Sequence, residues 1–153
     1  MARHPKLPAP PETSPYAAGV EVVAHADGAS RGNPGPASYG CVYLGEDGEP
    51  AWGEGQAIGV ATNNVAEYRG CLAALQRLAG WGVKRAILRL DSQLVVRQLN
   101  GEYRVKDSTL RGWYTKILEV VASLDEVRFE HVPRAQNADA DRMANHALDA
   151  VAS

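Results

Sequence analysis

A change of hydrophobic period near residue 61 narrows the fold of this chain more than any other feature. Before it, apolar residues fall into three runs of strand length, Val20–Asp27, Ser38–Leu44 and Ala51–Val60. The second and third are joined by Gly45-Glu46-Asp47-Gly48, which suits a tight hairpin turn. After it, Val65, Tyr68, Leu72, Leu75 and Ala79 recur at helical spacing, and Gly80 and Gly82 supply a stop. A strand over Arg85–Leu90 ending at Asp91 comes next, then a short helix over Ser92–Leu99 closed by Gly101. Leu110, Trp113, Ile117, Val120 and Leu124 mark a longer amphipathic helix. Glu126–Val132 reads as a fifth strand, and Ala140, Ala144, Leu148 and Val151 as the face of a closing helix. An antiparallel meander extended by βαβ crossovers predicts an α/β fold, a mixed sheet with helices packed on its faces. Right-handed crossovers bring the C-terminal ends of the first and fourth strands together, where open α/β sheets place their sites.

The first run stops at a lone carboxylate, Asp27, before a turn of small residues holding Gly28, Gly32, Pro34 and Gly35. Such a turn lets backbone approach a ligand closely, and it is equally ordinary turn chemistry. The chain is long enough for one well-buried domain, expected over residues 20–153. Residues 1–19 carry Pro5, Pro8, Pro10, Pro11 and Pro15 without periodicity. They read as a disordered extension in which Arg3 and Lys6 touch a polyanion weakly. Cys41 and Cys71 lack metal-ligand spacing and fit buried free thiols in a reducing cytoplasm. Apolar runs are too short for a membrane span, and no signal peptide is evident at the N-terminus. The net charge of −2 argues against a protein that coats nucleic acid, without excluding a local basic face. A cytoplasmic monomer is expected.

Four acidic positions fall at element ends: Asp27, Glu67, Asp91, and either Asp139 or Asp141. Each has a structural explanation. Asn64 and Glu67 can form a capping box, Asp91 or Ser92 can cap a helix, and Asp139 and Asp141 suit a helix N-terminus. Convergence on one sheet edge is the alternative. Clustered carboxylates resist ionising together unless a cation compensates, and hard oxygen donors suit Mg²⁺ or Mn²⁺. Two such ions about 4 Å apart stabilise the attacking and leaving oxygens of a phosphoryl displacement. Phosphodiester hydrolysis is the chemistry this points to.

Four segments in order resemble the type 1 ribonuclease H family: Asp27 to Pro36, Thr62 to Glu67, Asp91 to Val95, and Asn137 to Ala144. The resemblance spans Val20 to Leu148. It implies a ribonuclease H-like fold with a five-stranded mixed sheet in the order 3-2-1-4-5. It also implies endonucleolytic cleavage of the RNA strand of RNA–DNA hybrids, leaving 5′-phosphate and 3′-hydroxyl ends, with two ions per site in the substrate complex. The family's metal-binding, catalytic carboxylates carry over to Asp27, Glu67, Asp91 and Asp141. Asp141 is preferred to Asp139 because the family pattern Asn-x-x-Ala-Asp matches Asn137, Ala140 and Asp141.

Reading RNA without regard to sequence requires contacts to 2′-hydroxyls in a shallow minor groove, a task for short amides. By similarity, Asn63, Asn64 and Gln93 meet that groove, while Thr62 and Asn33 hold a DNA-strand phosphate. Turn and cap chemistry is the competing explanation for each. Two departures stand out. The lysine-rich protrusion of many relatives is reduced to Asn100–Asp107, which keeps Arg104 and Lys106, with Arg97, Arg111 and Lys116 nearby. The loop before the last helix contains no histidine, and Arg134 is the residue there that can assist the leaving group. Both resemble a compact branch of the family. The rival readings are a same-fold nuclease acting on other structured nucleic acids, and a hybrid-binding module without catalysis.

Overall fold

Strands form where β-branched and aromatic residues alternate with small ones, and helices where apolar residues recur every third or fourth position. The computed structural model describes residues 7–152. Its elements are β1 (Glu21–Ser30), β2 (Gly35–Leu44), β3 (Pro50–Ala61), α1 (Asn63–Gly80), β4 (Arg85–Leu90), α2 (Gln93–Leu99), α3 (Ser108–Val121), β5 (Glu126–His131) and α4 (Ala138–Ala152). A 3₁₀ turn over Arg134–Asn137 leads into α4. The sheet runs β3-β2-β1-β4-β5, antiparallel across β1, β2 and β3 and parallel across β1, β4 and β5, as the family resemblance implies.

Helices cover both faces. Val22, Ala24 and Ala26 of β1 share the main core with Cys71, Leu75 and Leu78 of α1 and Ile117 of α3. Val42 of β2 packs with Ala140 and Met143 of α4 in a second cluster. Thr62, Ser92 and Asp107 cap α1, α2 and α3, each accepting an N–H three residues on at 3.2, 3.3 and 2.9 Å. Such caps each contribute about 1 kcal/mol. Thr62, rather than Asn64, therefore starts α1, which frees Glu67 from a capping box. Cys41 and Cys71 are free and buried. Among the described residues no helix is long and apolar enough to cross a membrane.

Two expectations change. Asp27 does not end β1, which continues through Gly28 and Ala29 to Ser30 because its antiparallel ladder with β2 runs to the Ser30–Ala37 pair. The parallel ladder with β4 stops earlier, at His25 and Arg89. Asp27 thus lies past the end of one ladder and inside the other.

The N-terminal segment is the second correction. Residues 7–19 are not a disordered tail, for they pack along the body of the molecule. The Gly53 N–H donates to the Pro8 carbonyl (2.9 Å), Trp81 Nε1–H to the Pro11 carbonyl (2.9 Å) and the Tyr16 hydroxyl to the Leu44 carbonyl (2.7 Å). The Tyr16 ring meets Trp52 and Trp81 edge-on, with centroids 5.7 and 5.6 Å away. Prolines lower the conformational entropy lost on ordering, and the aromatic slot provides the contact that holds the segment. The expected contacts of Arg3 and Lys6 with a polyanion lie outside the described residues.

Candidate active site

Beyond the last β1–β4 pair, the sheet opens a gap into which three elements direct carboxylates. Asp27 comes from β1, Glu67 from the second turn of α1, and Asp91 from the residue after β4. One carboxylate oxygen from each lies within 4.8 Å of the others. Asp27 and Glu67 are 3 % and 2 % exposed, so this is an interior cluster rather than a solvated acidic face. Asp141, on the first turn of α4, stands outside that mutual group, yet its carboxyl reaches that of Asp27. Asn145 Nδ2 holds Asp141 Oδ1 at 3.2 Å. Asp139 instead contacts Arg142 and has no part in the cluster.

Close approach of the helices depends on two missing side chains. A Cβ on Gly28 would lie 2.4 Å from the backbone nitrogen of Glu67, and one on Gly40 would lie 2.2 Å from the Ala140 carbonyl oxygen. Gly40 is the register partner of Asp27, so α4 reaches the sheet opposite the acid it must meet. Alanine at either position would push away the helix that carries Glu67 or Asp141.

The electrostatics are those of a site short of positive charge. Burial raises the Asp27 pKa most, the neighbouring Glu67 charge adds to it, and together they push Asp27 up to about 10. Burial likewise raises Glu67 to about 7, against the lowering effect of its contact with Asp27 and of the Gly28 N–H. That N–H donates to Glu67 Oε1 at 3.1 Å. Glu67 Oε2 is buried and has no hydrogen-bond partner among the described residues. An orphaned buried carboxylate oxygen costs about 1–3 kcal/mol or more. Asp27, Glu67 and Asp91, with Asp141 beside them, offer the all-oxygen donor set that hard divalent cations prefer, and the open Oε2 is where one fits.

The other expected site residues divide. Asn33, Thr62 and Asn64 line a common cavity of about 370 Å³ with Asp107 and Thr109. Asn33 Oδ1 also accepts the Asn63 N–H at 3.1 Å, tying the β1–β2 loop to the start of α1. Gln93 opens α2 with an exposed side chain, two residues after Asp91. Arg134 is exposed on the 3₁₀ turn, and its charge favours ionised Glu67. Thr62 and Asn33 therefore also do structural work, as the competing explanation held. Trp113 is partly buried against the core, with Arg69 and Lys116 over its ring at 4.8 and 4.7 Å. Arg97 stacks on Tyr103 at 5.2 Å and Arg111 Nε donates to the Val105 carbonyl at 3.0 Å, so the shortened Asn100–Asp107 link keeps an organised basic edge.

Sequence reasoning assigned no role to Gly40 or to His25, and used Asn137 only as a pattern match. Asn137 is 1 % exposed and donates to Asp91 Oδ2 at 3.2 Å. A polar residue at the seam between a strand and a helix gives no period; register was needed to find it.

Comparison with known proteins agrees with this geometry. A family model described as "Reverse transcriptase-like" matches residues 25–147. A bifunctional protein of Mycobacterium tuberculosis is 46 % identical over 134 residues, which is 87 % of this chain and 37 % of that one. The chain thus spans little more than a third of that relative. The crystal structure of RNase H1 from Halobacterium salinarum superposes with a TM-score of 0.82 at 45 % identity, covering 86 % of this chain and all of the other. LC11-RNase H1, solved in complex with an RNA/DNA hybrid, gives 0.81 at 39 % identity, covering 86 % of this chain and 99 % of that one.

Proposed function

Because the chain belongs to the type 1 ribonuclease H family, we propose that it hydrolyses the RNA strand of RNA–DNA hybrids with divalent metal ions, leaving 5′-phosphate and 3′-hydroxyl ends. The observation that carries this reading is the trio Asp27, Glu67 and Asp91, two of them buried and the third half-buried, in which Glu67 Oε2 has no partner among the described residues. Asp27, Glu67, Asp91 and Asp141 would hold the ions. Magnesium is the working ion, with manganese able to replace it, because the donors are all hard oxygens. When bound, such ions supply Lewis-acid stabilisation of charge on the reacting phosphodiester.

The chain's own residues do the rest. The Gly28 N–H fixes one oxygen of Glu67, and the Asn137 amide fixes one oxygen of Asp91, so the carboxylates are oriented before substrate arrives. Asn33 and Thr62, which share a cavity with Asn64, are the residues that would hold a backbone phosphate of the DNA strand, and Asn64 joins the amides that meet the minor groove. Asn63 and Gln93 are exposed short amides able to meet 2′-hydroxyls. Arg134 places positive charge near Glu67 and assists the departing oxygen. The basic edge around Arg97, Arg104, Lys106 and Arg111 holds the duplex, more weakly than a full protrusion would. Function as a cytoplasmic monomer completes the reading, the unpaired Cys41 and Cys71 favouring a reducing compartment.

The test is cleavage of labelled hybrid, duplex RNA, duplex DNA and four-way junction, with Mg²⁺ and with EDTA. Hybrid alone should be cut, only with Mg²⁺, and within its RNA strand. Preference for a junction or for duplex RNA would favour the same-fold nuclease reading. Tight hybrid binding without cleavage would leave a binding module.

A further inference from the structure

Asn137 joins three parts of the molecule that are distant in sequence. Its Nδ2 donates to the Ala26 carbonyl (3.0 Å) and to Asp91 Oδ2 (3.2 Å), and its Oδ1 lies 2.9 Å from His25 Nδ1. Ala26 and Asp91 present only acceptors, so the amide nitrogen must face them and the amide oxygen must face His25. That oxygen requires a donor. His25 therefore carries a proton on Nδ1, which determines its tautomer.

We propose that His25 is a positioning residue for the acidic site: its Nδ1–H anchors the Asn137 amide, which holds the Asp91 carboxylate in place beside Asp27 and Glu67. The inference rests on reading Asp91 as a metal ligand. His25 itself touches neither ion nor substrate. It stands on β1 two residues before Asp27 and borders a cavity of about 270 Å³ that Arg89, Gln136 and Asp139 also line. Without the Nδ1 donor, Asn137 Oδ1 is left buried and unpaired, and the amide drifts toward water. Asp91 then loses the partner that sets its rotation. Partners of this outer kind are worth about 10–100-fold in metal affinity when removed.

Thermal unfolding across a Mn²⁺ titration, for the wild-type protein and for His25→Asn, His25→Leu and Asp91→Asn, tests this. Asparagine places an amide N–H about where the imidazole Nδ1 stood. Leucine has a similar branched shape and no donor, so the pair separates the hydrogen bond from the filling of space. The Mn²⁺ concentration giving half the rise in Tm should increase about 10-fold in His25→Leu and stay within about 3-fold of wild type in His25→Asn. Equal shifts in both variants, or none in either, would mean that His25 only fills space, and the proposal would be overturned. A wild-type protein with no metal-dependent rise, or an Asp91→Asn variant that keeps the full rise, would remove the ligand reading and the proposal with it. Those two results differ from the first because they appear without any change at residue 25. Should His25→Leu not fold, the ¹⁵N spectrum of the wild-type imidazole decides: protonated Nδ1 is expected, and the Nε2–H tautomer would overturn the proposal.

Discussion

Helix α1 carries two ends of opposite character, and each meets a glutamate. At its last turn, Arg77 grips Glu54 of β3 with Nε and Nη2 at 3.1 and 2.8 Å, and the Tyr43 hydroxyl adds a third donor at 2.6 Å. At its second turn, Glu67 receives one backbone N–H and keeps an oxygen without a partner among buried acids. Both carboxylates are removed from bulk water to some degree. One is saturated by the chain's own donors, and the other waits for charge from outside. A fold that can satisfy Glu54 so fully does not leave Glu67 open for want of donors; the difference marks which acid serves structure and which serves chemistry.

Exchanging the roles of the two ends should separate activity from stability. Asp27→Asn removes an acid that the metal-free protein must keep protonated and a ligand the reaction needs. Hybrid cleavage in Mg²⁺ should fall more than about 100-fold, since even outer partners of metal ligands cost about 10–100-fold. The same variant in EDTA should melt about 2–6 °C higher than wild type by circular dichroism. Retained cleavage, or a lower melting point, would contradict the contrast.

Glu54→Gln is the opposite case. It leaves Arg77 and Tyr43 poorly matched and should cost about 1–3 kcal/mol, read from the urea midpoint. Its cleavage rate in Mg²⁺ should match that of wild type. A tenfold loss of rate with unchanged stability would show that this end of α1 is coupled to the chemistry.

The smallest effect is in pH. Glu67 is raised from 4.5 to about 7 by burial, so the folded protein holds a proton that the unfolded chain releases near pH 4.5. In EDTA the contribution of this group to stability is fully present below about pH 4.5 and fades as pH rises toward 7. Melting curves between those limits should slope downward for wild type and less steeply in Glu67→Gln, where the raised Asp27 still contributes. An identical slope in both would assign the dependence to other groups.

The sequence made the elements legible because their periods are strong: Val65 through Ala79 can only line one side of a helix, and Arg85–Leu90 can only be a short buried strand. The candidate acids were legible because each falls close to a change of hydrophobic period, although Asp27 lies inside β1 and Glu67 one turn into α1, and the choice of Asp141 over Asp139 came from the family pattern. What stayed hidden lay between elements. The continuation of β1 through Gly28 to Ser30 has no strand-like composition and is imposed by pairing with β2. The order of residues 7–19 arises from a slot made by Trp52 and Trp81, which are far away in sequence. His25 looked like one more residue of an apolar run until register set it against Asn137.

The unequal ladders on the two sides of β1 have a consequence for how such a site is kept in shape. Where β4 stops pairing, main-chain groups of β1 on that side are released from sheet duty. The Ala26 carbonyl takes the Asn137 amide, and the Gly28 N–H takes Glu67. Rungs that another turn of pairing would have occupied become rigid mooring points for side chains. Lengthening β4 to regularise the sheet would therefore compete for the very groups that aim two of its acids.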